Sequence, residues 1–600
     1  MNAHITRSLS RFLRESGVKR AAHFERHAQR QVQLFASPRH FSDLRASTTE
    51  SNSFRSRYKF TSISATFASL FAIGYFGFST AFADAGDTTK TSIKGPDTPL
   101  SIIKGENERL INMAEVEEHN TKEKGVWVVI QGNVYDITSF IDKHPGGDRI
   151  ILKNAGKDVT DIYVPVHPSD AIKENLHPSQ YLGQIDPSTV KEEVESEENL
   201  SEREVKRRKA LKNLPPIGSI LNLDDFQKVA QTILTDQAWA YYSSAADDEI
   251  TKHFNRSAYS RIWFKPRILR PVVEVDCSTE LMGFDVSLPI YISPAAMAKL
   301  GHPEGEANLT KAAGEAKIIQ GISANASVSL DETIANRKSD QALIYQLYVN
   351  KDRLASEKIL AKIQKQPKGI FAAIMLTVDA PVMGNRESDM RAKGEIVQTG
   401  GETEGGSSDG KGVGAAISGY IDPSIGWDII KWYKQHCKLP LILKGVQTVE
   451  DVELAFKNGC KGVVLSNHGG RSLEYSRAPI DVLIELHQKR PDLLQKIDVL
   501  IDGGVRRGTD VLKAVALGAK GVGLGRPFLY AQSGYGQEGA NRAIQIMKDE
   551  IERGMRLLGI TSLKQLTPEM IEILPQAFDP YLLHRQEERQ REYVFEQEKG

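Results

Sequence analysis

From Leu288 onward the chain alternates short apolar runs, rich in Ile, Val, Leu and aromatic residues, with stretches of helical composition. The runs are Leu288–Pro294, Ala316–Ser323, Ala342–Val349, Ile370–Asp379, Leu439–Val446, Gly462–Gly470, Ile497–Gly504 and Lys520–Pro527. Short continuous apolar runs read as strands buried on both faces. Eight of them with helical spacers predict an α/β (β/α)8 TIM barrel better than an open doubly wound sheet. Nearly every run ends on side chains capable of chemistry: Ser323, Gln346 and Tyr348, Thr377 and Asp379, Lys444, His468, Asp502, Arg526. In such barrels the strand C-termini form the active-site mouth, so these groups are expected to converge there.

Upstream the pattern changes. Gly125–Thr138 reads as two short strands around Gln131-Gly132-Asn133, a hairpin signal, inside a compact α+β segment of about 108–186. Glu192–Pro216 is acidic first, basic later, and ends in two prolines, so 187–216 is expected to be a solvated, mobile hinge. The barrel module then spans 217–577 and a tail 578–600.

The first 59 residues are rich in arginine and serine and poor in acids, as in a mitochondrial transit peptide. Phe60–Ala83 follows without a charge, long enough to span a membrane by the rule of roughly 20 apolar residues. It is either a retained anchor or the sorting half of a bipartite presequence cut after Ala83, and the Ala81-Phe82-Ala83 pattern favours cleavage. Both place the later domains in the mitochondrial intermembrane space, with membrane contact only through 60–83 if uncleaved, and 84–107 as a polar linker. Lys plus Arg balance Asp plus Glu at 77 each, and no nucleic-acid motif is present, so nucleic acid is not an expected partner. The three cysteines, Cys277, Cys437 and Cys460, have neither disulfide nor metal spacing.

Two histidines follow the hairpin, His144 in a His-Pro-Gly-Gly turn and His167 in Val-Pro-Val-His-Pro. Facing imidazoles can supply both axial ligands of a haem iron, with Phe140, Ile141, Ile150, Tyr163 and Val164 as apolar walls. In the barrel, Gly503, Gly504 and Gly525 leave backbone N–H groups free, and Arg506 and Arg526 add positive charge, which suits a phosphate after the seventh and eighth strands. Asp502 can accept from cofactor hydroxyls, and Lys444 can stabilise negative charge on a cofactor. His468 is the residue type for proton abstraction near neutral pH, and Asp379 can hold its tautomer. Arg471 suits a bidentate grip on a carboxylate, so a small acid with a labile α-hydrogen is the implied substrate.

The segment around His144 and His167 resembles a cytochrome b5 domain. Ala238–Glu249, Tyr345–Arg353, Thr377–Glu387, Leu441–Val446, Ser466–Arg471, Asp502–Val511 and Gly523–Tyr530 together resemble the FMN-dependent α-hydroxy acid oxidase and dehydrogenase family over about 220–575. That resemblance implies His468 as base, Asp379 as its partner, Tyr348 as donor near the substrate hydroxyl, Arg471 with Tyr241 as carboxylate clamp, and Arg386 as a mobile second cation. It implies FMN held by Ser323, Gln346, Thr377, Lys444, Asp502, Gly503, Gly504, Arg506, Gly525 and Arg526 with backbone from Ala295, and Gln237 with Tyr241 toward the haem. It further implies haem b, electron transfer to cytochrome c, and a homotetramer. The expected reaction is oxidation of L-lactate or a related short-chain L-2-hydroxy acid to the 2-keto acid; the alternative is an oxidase using oxygen on another acid. Asn325 departs from lactate-using relatives, which place a bulky apolar residue there, so a lactate methyl loses its apolar wall. Met390–Ser418, rich in Gly and Ser, is expected to lie over the mouth.

Overall fold

The computed structural model describes residues 109–144, 147–190, 200–392 and 419–575. The presequence, the first linker, Pro145-Gly146, most of the Met390–Ser418 loop and the C-terminal tail lie outside the described residues.

The first module is built on a small sheet: β1 (Leu110–Ile111), β2 (Asn120–Thr121), β3 (Gly125–Ile130), β4 (Asn133–Asp136), β5 (Lys157–Asp158) and β6 (Tyr181–Ile185), in the order β1-β6-β4-β3-β2 with β5 on β3. The expected hairpin is β3–β4. Its two-residue turn has both φ angles positive, 48° at Gln131 and 76° at Gly132, the twist that lets antiparallel strands continue without splaying. Side chains alternate between faces along a strand. Val126, Val128 and Ile130 pack with Tyr135, Ile141 and Ile172, while Val129 and Val134 pack with Ile111, Val116 and Ile185. Burial on both faces is why this strand reads as one apolar run.

The charged stretch expected to be a mobile hinge contains a helix, Glu202–Lys212. Ser201 caps it by accepting from the Glu204 N–H, and Glu204 pairs with Arg207 at 2.7 Å and Arg208 at 2.9 Å. Its Ala210 and Leu211, with Leu214, rest on the barrel core, and Arg207 donates to the Ile233 carbonyl. Those few apolar contacts give too narrow a stripe to stand out from the surrounding charges.

The second module opens with β7 (Ile262–Phe264) and a β8–β9 hairpin (Thr279–Leu281, Phe284–Val286). Eight parallel strands then close on themselves: β10 (Ile290–Ile292), β11 (Ile319–Ile322), β12 (Leu343–Leu347), β13 (Phe371–Thr377), β14 (Leu441–Val446), β15 (Gly462–Leu465), β16 (Asp498–Asp502) and β17 (Gly521–Leu524). Each lies within one of the eight apolar runs. Tyr291, Ile319, Ile344, Met375, Ile442, Val464 and Leu500 fill the inside, and Leu281, Met282 and Val286 of the hairpin plug the end where strands begin. A larger apolar layer joins strands to the outer helices, and β18 (Ile571–Ile573) pairs antiparallel with β7. The plugged end leaves only the strand C-termini open for chemistry.

The two modules touch beside His167. Val166 packs against the barrel's apolar layer, Ser169 Oγ lies 3.5 Å from Glu332, and Lys362 stands 3.9 Å from Glu174. Among the described residues no helix is long and apolar enough to cross a membrane.

Candidate active site

His468 lies in the turn just after β15 with φ +60°, a conformation that costs a non-glycine residue energy unless its surroundings hold it. They do. Its N–H donates to Ser466 Oγ at 3.1 Å, and Gly470 N–H donates to Asn467 Oδ1 at 3.0 Å. The buried amides of Asn467 and Asn255 bond reciprocally at 2.7 Å each way. Gly469 and Gly470 continue with φ +66° and +78°, and a Cβ at 470 would lie 2.6 Å from the Lys252 backbone nitrogen.

This turn aims the imidazole at partners from two other strands. His468 Nδ1 lies 3.2 Å from Asp379 Oδ1 past the end of β13, and His468 Nε2 lies 3.5 Å from the Tyr348 hydroxyl past the end of β12. The Asp379 side chain is fully buried while that of His468 keeps 23% exposure. Burial pushes the Asp379 carboxyl up, but the His468 charge, their hydrogen bond and the Lys444 ammonium outweigh it and hold it below the usual range. Burial pushes His468 down, Lys444 and Arg386 push the same way, and the opposing pull of Asp379 does not compensate. The pair therefore rests as carboxylate and neutral imidazole, with Nδ1–H on Asp379 and the Nε2 lone pair free to take a proton.

Asp379 has room because of a residue the sequence reading passed over. The register of β14 against β15 shifts between Lys444 and Val446, a bulge at Gly445 with φ +104°. A Cβ there would lie 2.4 Å from Asp379 Cγ.

Arg471 and Arg386 face the same place. Arg471 Nη1 donates to the carbonyls of Tyr241 at 2.7 Å and Ser244 at 3.1 Å, and its guanidinium lies 5.2 Å from the centre of the Tyr241 ring. Arg386 is buried, its Nε has no hydrogen-bond partner among the described residues, and burial first, then Arg471, pushes it down to about 9. Two guanidiniums that raise each other's energy in a shielded mouth are complementary to a carboxylate, which would relieve both.

The remaining strand ends line an adjoining polar wall. Gln346 Oε1 accepts from Ala324 N–H at 3.0 Å and Ser323 Oγ at 3.4 Å, while its Nε2 donates to Thr377 Oγ1 at 3.1 Å. Lys444 Nζ lies 3.2 Å from Ser466 Oγ and 3.5 Å from Asp502 Oδ2. Burial pushes the Lys444 ammonium down, but Asp502 and Asp379 raise it above its ordinary value, so it stays charged. Asp502 Oδ1 is buried with no hydrogen-bond partner among the described residues. Gly503 and Gly504 follow with φ +95° and +81°, and a Cβ at 504 would lie 2.1 Å from the Asn255 carbonyl. An orphaned acceptor, a buried ammonium and the left-handed Gly503-Gly504 turn suit the ribityl chain and phosphate of FMN, with Ala295 offering backbone from the loop after β10.

Arg526, proposed for a phosphate, also has a structural task. Its guanidinium donates to the carbonyls of Tyr242, Gly469 and Ser244 at 2.9, 2.9 and 2.8 Å, tying the His468 turn to the helix Asp236–Ser243. Its two remaining guanidinium N–H groups, and its backbone at the start of the helix after Gly525, are what it offers a phosphate. Arg506 does stay beside the Gly503-Gly504 turn, with Nη2 on Gln227 at 2.9 Å. Gln237 is exposed on the Tyr241 helix.

In the first module the rings of His144 and His167 lie 6.1 Å apart, tilted by 33°. Metal–imidazole bonds are about 2 Å, so one ion held from both sides requires ring centres about 6 Å apart. His144 Nδ1 bonds the Gly147 carbonyl at 3.1 Å and His167 Nδ1 the Tyr163 carbonyl at 3.0 Å, which leaves each Nε2 as the ligating atom. Burial keeps both neutral, His167 down to about 4. Tyr163 stacks on His167 with centroids 4.0 Å apart, Phe140 meets His144 edge-on, and the half-exposed Ile150 and Ile162 leave apolar surface at the cleft. These residues fit a haem.

Comparison with known proteins agrees with both sites. Residues 230–573 match the FMN-dependent dehydrogenase model, and residues 112–186 match the cytochrome b5-like heme/steroid binding domain. The chain is 49% identical over 463 residues to an L-lactate dehydrogenase (cytochrome) of Wickerhamomyces anomalus, covering 76% of this chain and 79% of that one. It is 46% identical over 485 residues to the Saccharomyces cerevisiae enzyme of the same name, covering 78% and 80%. A solved flavocytochrome b2 variant with pyruvate bound is similar with a TM-score of 0.57 at 48% identity, covering 62% of this chain and 92% of that one. The chain belongs to the FMN-dependent dehydrogenase family, as a member with a haem-binding cytochrome b5-like module ahead of its barrel.

Proposed function

We propose that this protein oxidises a short-chain L-2-hydroxy acid, L-lactate included, to the 2-keto acid and delivers the electrons to cytochrome c. The observation that carries the reading is the neutral His468, with Nδ1 3.2 Å from Asp379 and Nε2 facing Tyr348, next to the buried Arg386 and the partly buried Arg471 guanidiniums. The substrate carboxylate sits between Arg471 and Arg386 with Tyr241 behind it. The hydroxyl on C2 then meets His468 Nε2 and the Tyr348 hydroxyl. His468 Nε2 takes up a proton released as C2 becomes a carbonyl, and the Asp379 carboxylate stabilises the resulting imidazolium. Ser323, Gln346, Thr377, Lys444, Asp502, Gly503, Gly504, Arg506, Gly525 and Arg526 would hold FMN, which would supply the acceptor for the two electrons and the second hydrogen, and His144 and His167 would hold haem b, which would supply a one-electron route onward. Lys444 supplies a fixed buried positive charge beside the cofactor site.

Anaerobic addition of L-2-hydroxy acids to the holoenzyme is expected to bleach the flavin and then reduce the haem, with cytochrome c reduced in turn. Flavin bleaching without haem reduction would replace this reading by the oxygen-using one.

Because His468 must be neutral to accept a proton, and burial lowers its pKa from 6.5, activity is retained through neutral pH and falls only on the acid side of that value. A pH profile of kcat/KM for L-lactate checks this; an acid limb above neutrality would contradict it. Gly445→Ala is expected to displace Asp379 and slow flavin reduction about 100-fold at unchanged FMN content.

We further propose a homotetramer, supported by the apolar stretch Ile268, Leu269 and Val273 with Leu557, which are 83%, 98%, 87% and 70% exposed. Sedimentation equilibrium of the holoenzyme tests it. The arginine-rich start and Phe60–Ala83 support delivery to the mitochondrial intermembrane space, with modules at 108–186 and 217–577 joined through 187–216, and N-terminal sequencing of the mature protein tests cleavage after Ala83.

A further inference from the structure

The α-carbon of a 2-hydroxy acid carries three heavy substituents, and the mouth offers partners for two of them. Arg471 and Arg386 face the carboxylate, and His468 with Tyr348 faces the hydroxyl. The side chain on C3 is left to whatever else lines the mouth beside Tyr348. There the Tyr420 hydroxyl donates to Asn325 Oδ1 at 3.0 Å.

Both members of this pair are anchored. An antiparallel bridge joins Asn350 to Ile421, Lys351 N–H donates to the Tyr420 carbonyl at 2.8 Å, and Lys351 Nζ donates to the Gly419 carbonyl at 2.7 Å. This brings Tyr420 to the segment just past Tyr348, close enough for its phenol to help raise the Tyr348 pKa, chiefly raised by burial. Asn325 stands past the end of β11, where its N–H donates to Ser323 Oγ at 3.2 Å. Burial pushes the Tyr420 hydroxyl up to about 12, so it stays a donor. With its oxygen occupied, the Asn325 amide is oriented, and among the described residues its Nδ2 donates to nothing. Both side chains remain partly exposed at the mouth.

We propose that Asn325 and Tyr420 form a specificity pair that reads a hydrogen-bonding group on C3 of the substrate, so that a 3-hydroxylated acid, L-glycerate being the smallest, is preferred over L-lactate. A C3 hydroxyl accepts from the free Nδ2 N–H. A methyl group in the same place shields that donor from water and offers it nothing, which a site built for hydrogen bonding penalises strongly. The proposal rests on the reading of the site as a 2-hydroxy acid dehydrogenase.

The test is anaerobic flavin reduction and steady-state cytochrome c reduction by the holoenzyme with L-glycerate and L-lactate, in the wild type, Asn325→Leu and Tyr420→Phe. The wild type is expected to favour L-glycerate by about 10-fold or more in kcat/KM. Asn325→Leu should reverse the ratio, raising the lactate value while lowering the glycerate value. Tyr420→Phe, which frees the amide to rotate, should reduce the ratio by a smaller factor. FMN and haem content verify that each variant is folded. A ratio that Asn325→Leu leaves unchanged, or a wild type that favours L-lactate, overturns the proposal while the dehydrogenase reading stands. If neither acid bleaches the flavin of the wild type, the dehydrogenase reading fails and the proposal falls with it.

Discussion

His468→Gln is expected to bind FMN and haem normally and yet to reduce its flavin about 10²–10⁴-fold more slowly, the range that positioned acid–base groups contribute. Glutamine keeps a donor within reach of Asp379, so the fully buried carboxylate is not stranded. What is lost is the lone pair at Nε2. The substrate's carboxylate contacts, Arg471 and Arg386, are untouched, so KM should change far less than kcat. Anaerobic stopped-flow reduction with L-lactate reads this directly. A rate within a few-fold of the wild type would remove His468 from the reaction.

The second large effect lies in the other module. His167→Ala should leave the flavin reducible by substrate but abolish haem binding and, with it, reduction of cytochrome c. The His167 ring is fixed by its Nδ1 bond to the Tyr163 carbonyl and by the Tyr163 stack, so its loss removes a ligand already oriented toward His144. The haem-to-FMN absorbance ratio and the cytochrome c rate, read on the same sample, check both halves. Cytochrome c reduction persisting without haem would show that electrons leave by another route.

Much of this was legible in the residues. The barrel strands stood out because parallel strands packed on both faces must be apolar throughout. Their ends stood out because polar groups appear where that burial stops. The hairpin was legible because Gln131-Gly132 permits two positive φ angles. Other features were not. Glu202–Lys212 looked like a solvated charge run, since its stability comes from a Ser201 cap and ion pairs rather than a broad apolar stripe. Arg526 looked like a phosphate ligand, but three carbonyls turned toward it only once helix Asp236–Ser243 and the His468 turn had come together. Gly445 looked like any strand glycine. Its role depends on Asp379, which arrives from the neighbouring strand.

The sequence by itself determined which chemical groups the mouth would contain, because strand periodicity and strand termination dictate which side chains reach it. It also pointed to His144 and His167 as haem ligands, through the resemblance of their segment to a cytochrome b5 domain. The tertiary structure decided their states. His468 and Asp379 are 89 residues apart, and the shifts that favour a neutral imidazole beside a carboxylate arise only when barrel closure brings them together beside Lys444 and Arg386. Desolvation and Coulomb energies depend on distance and burial in space, and neither quantity is encoded at any single position of the chain.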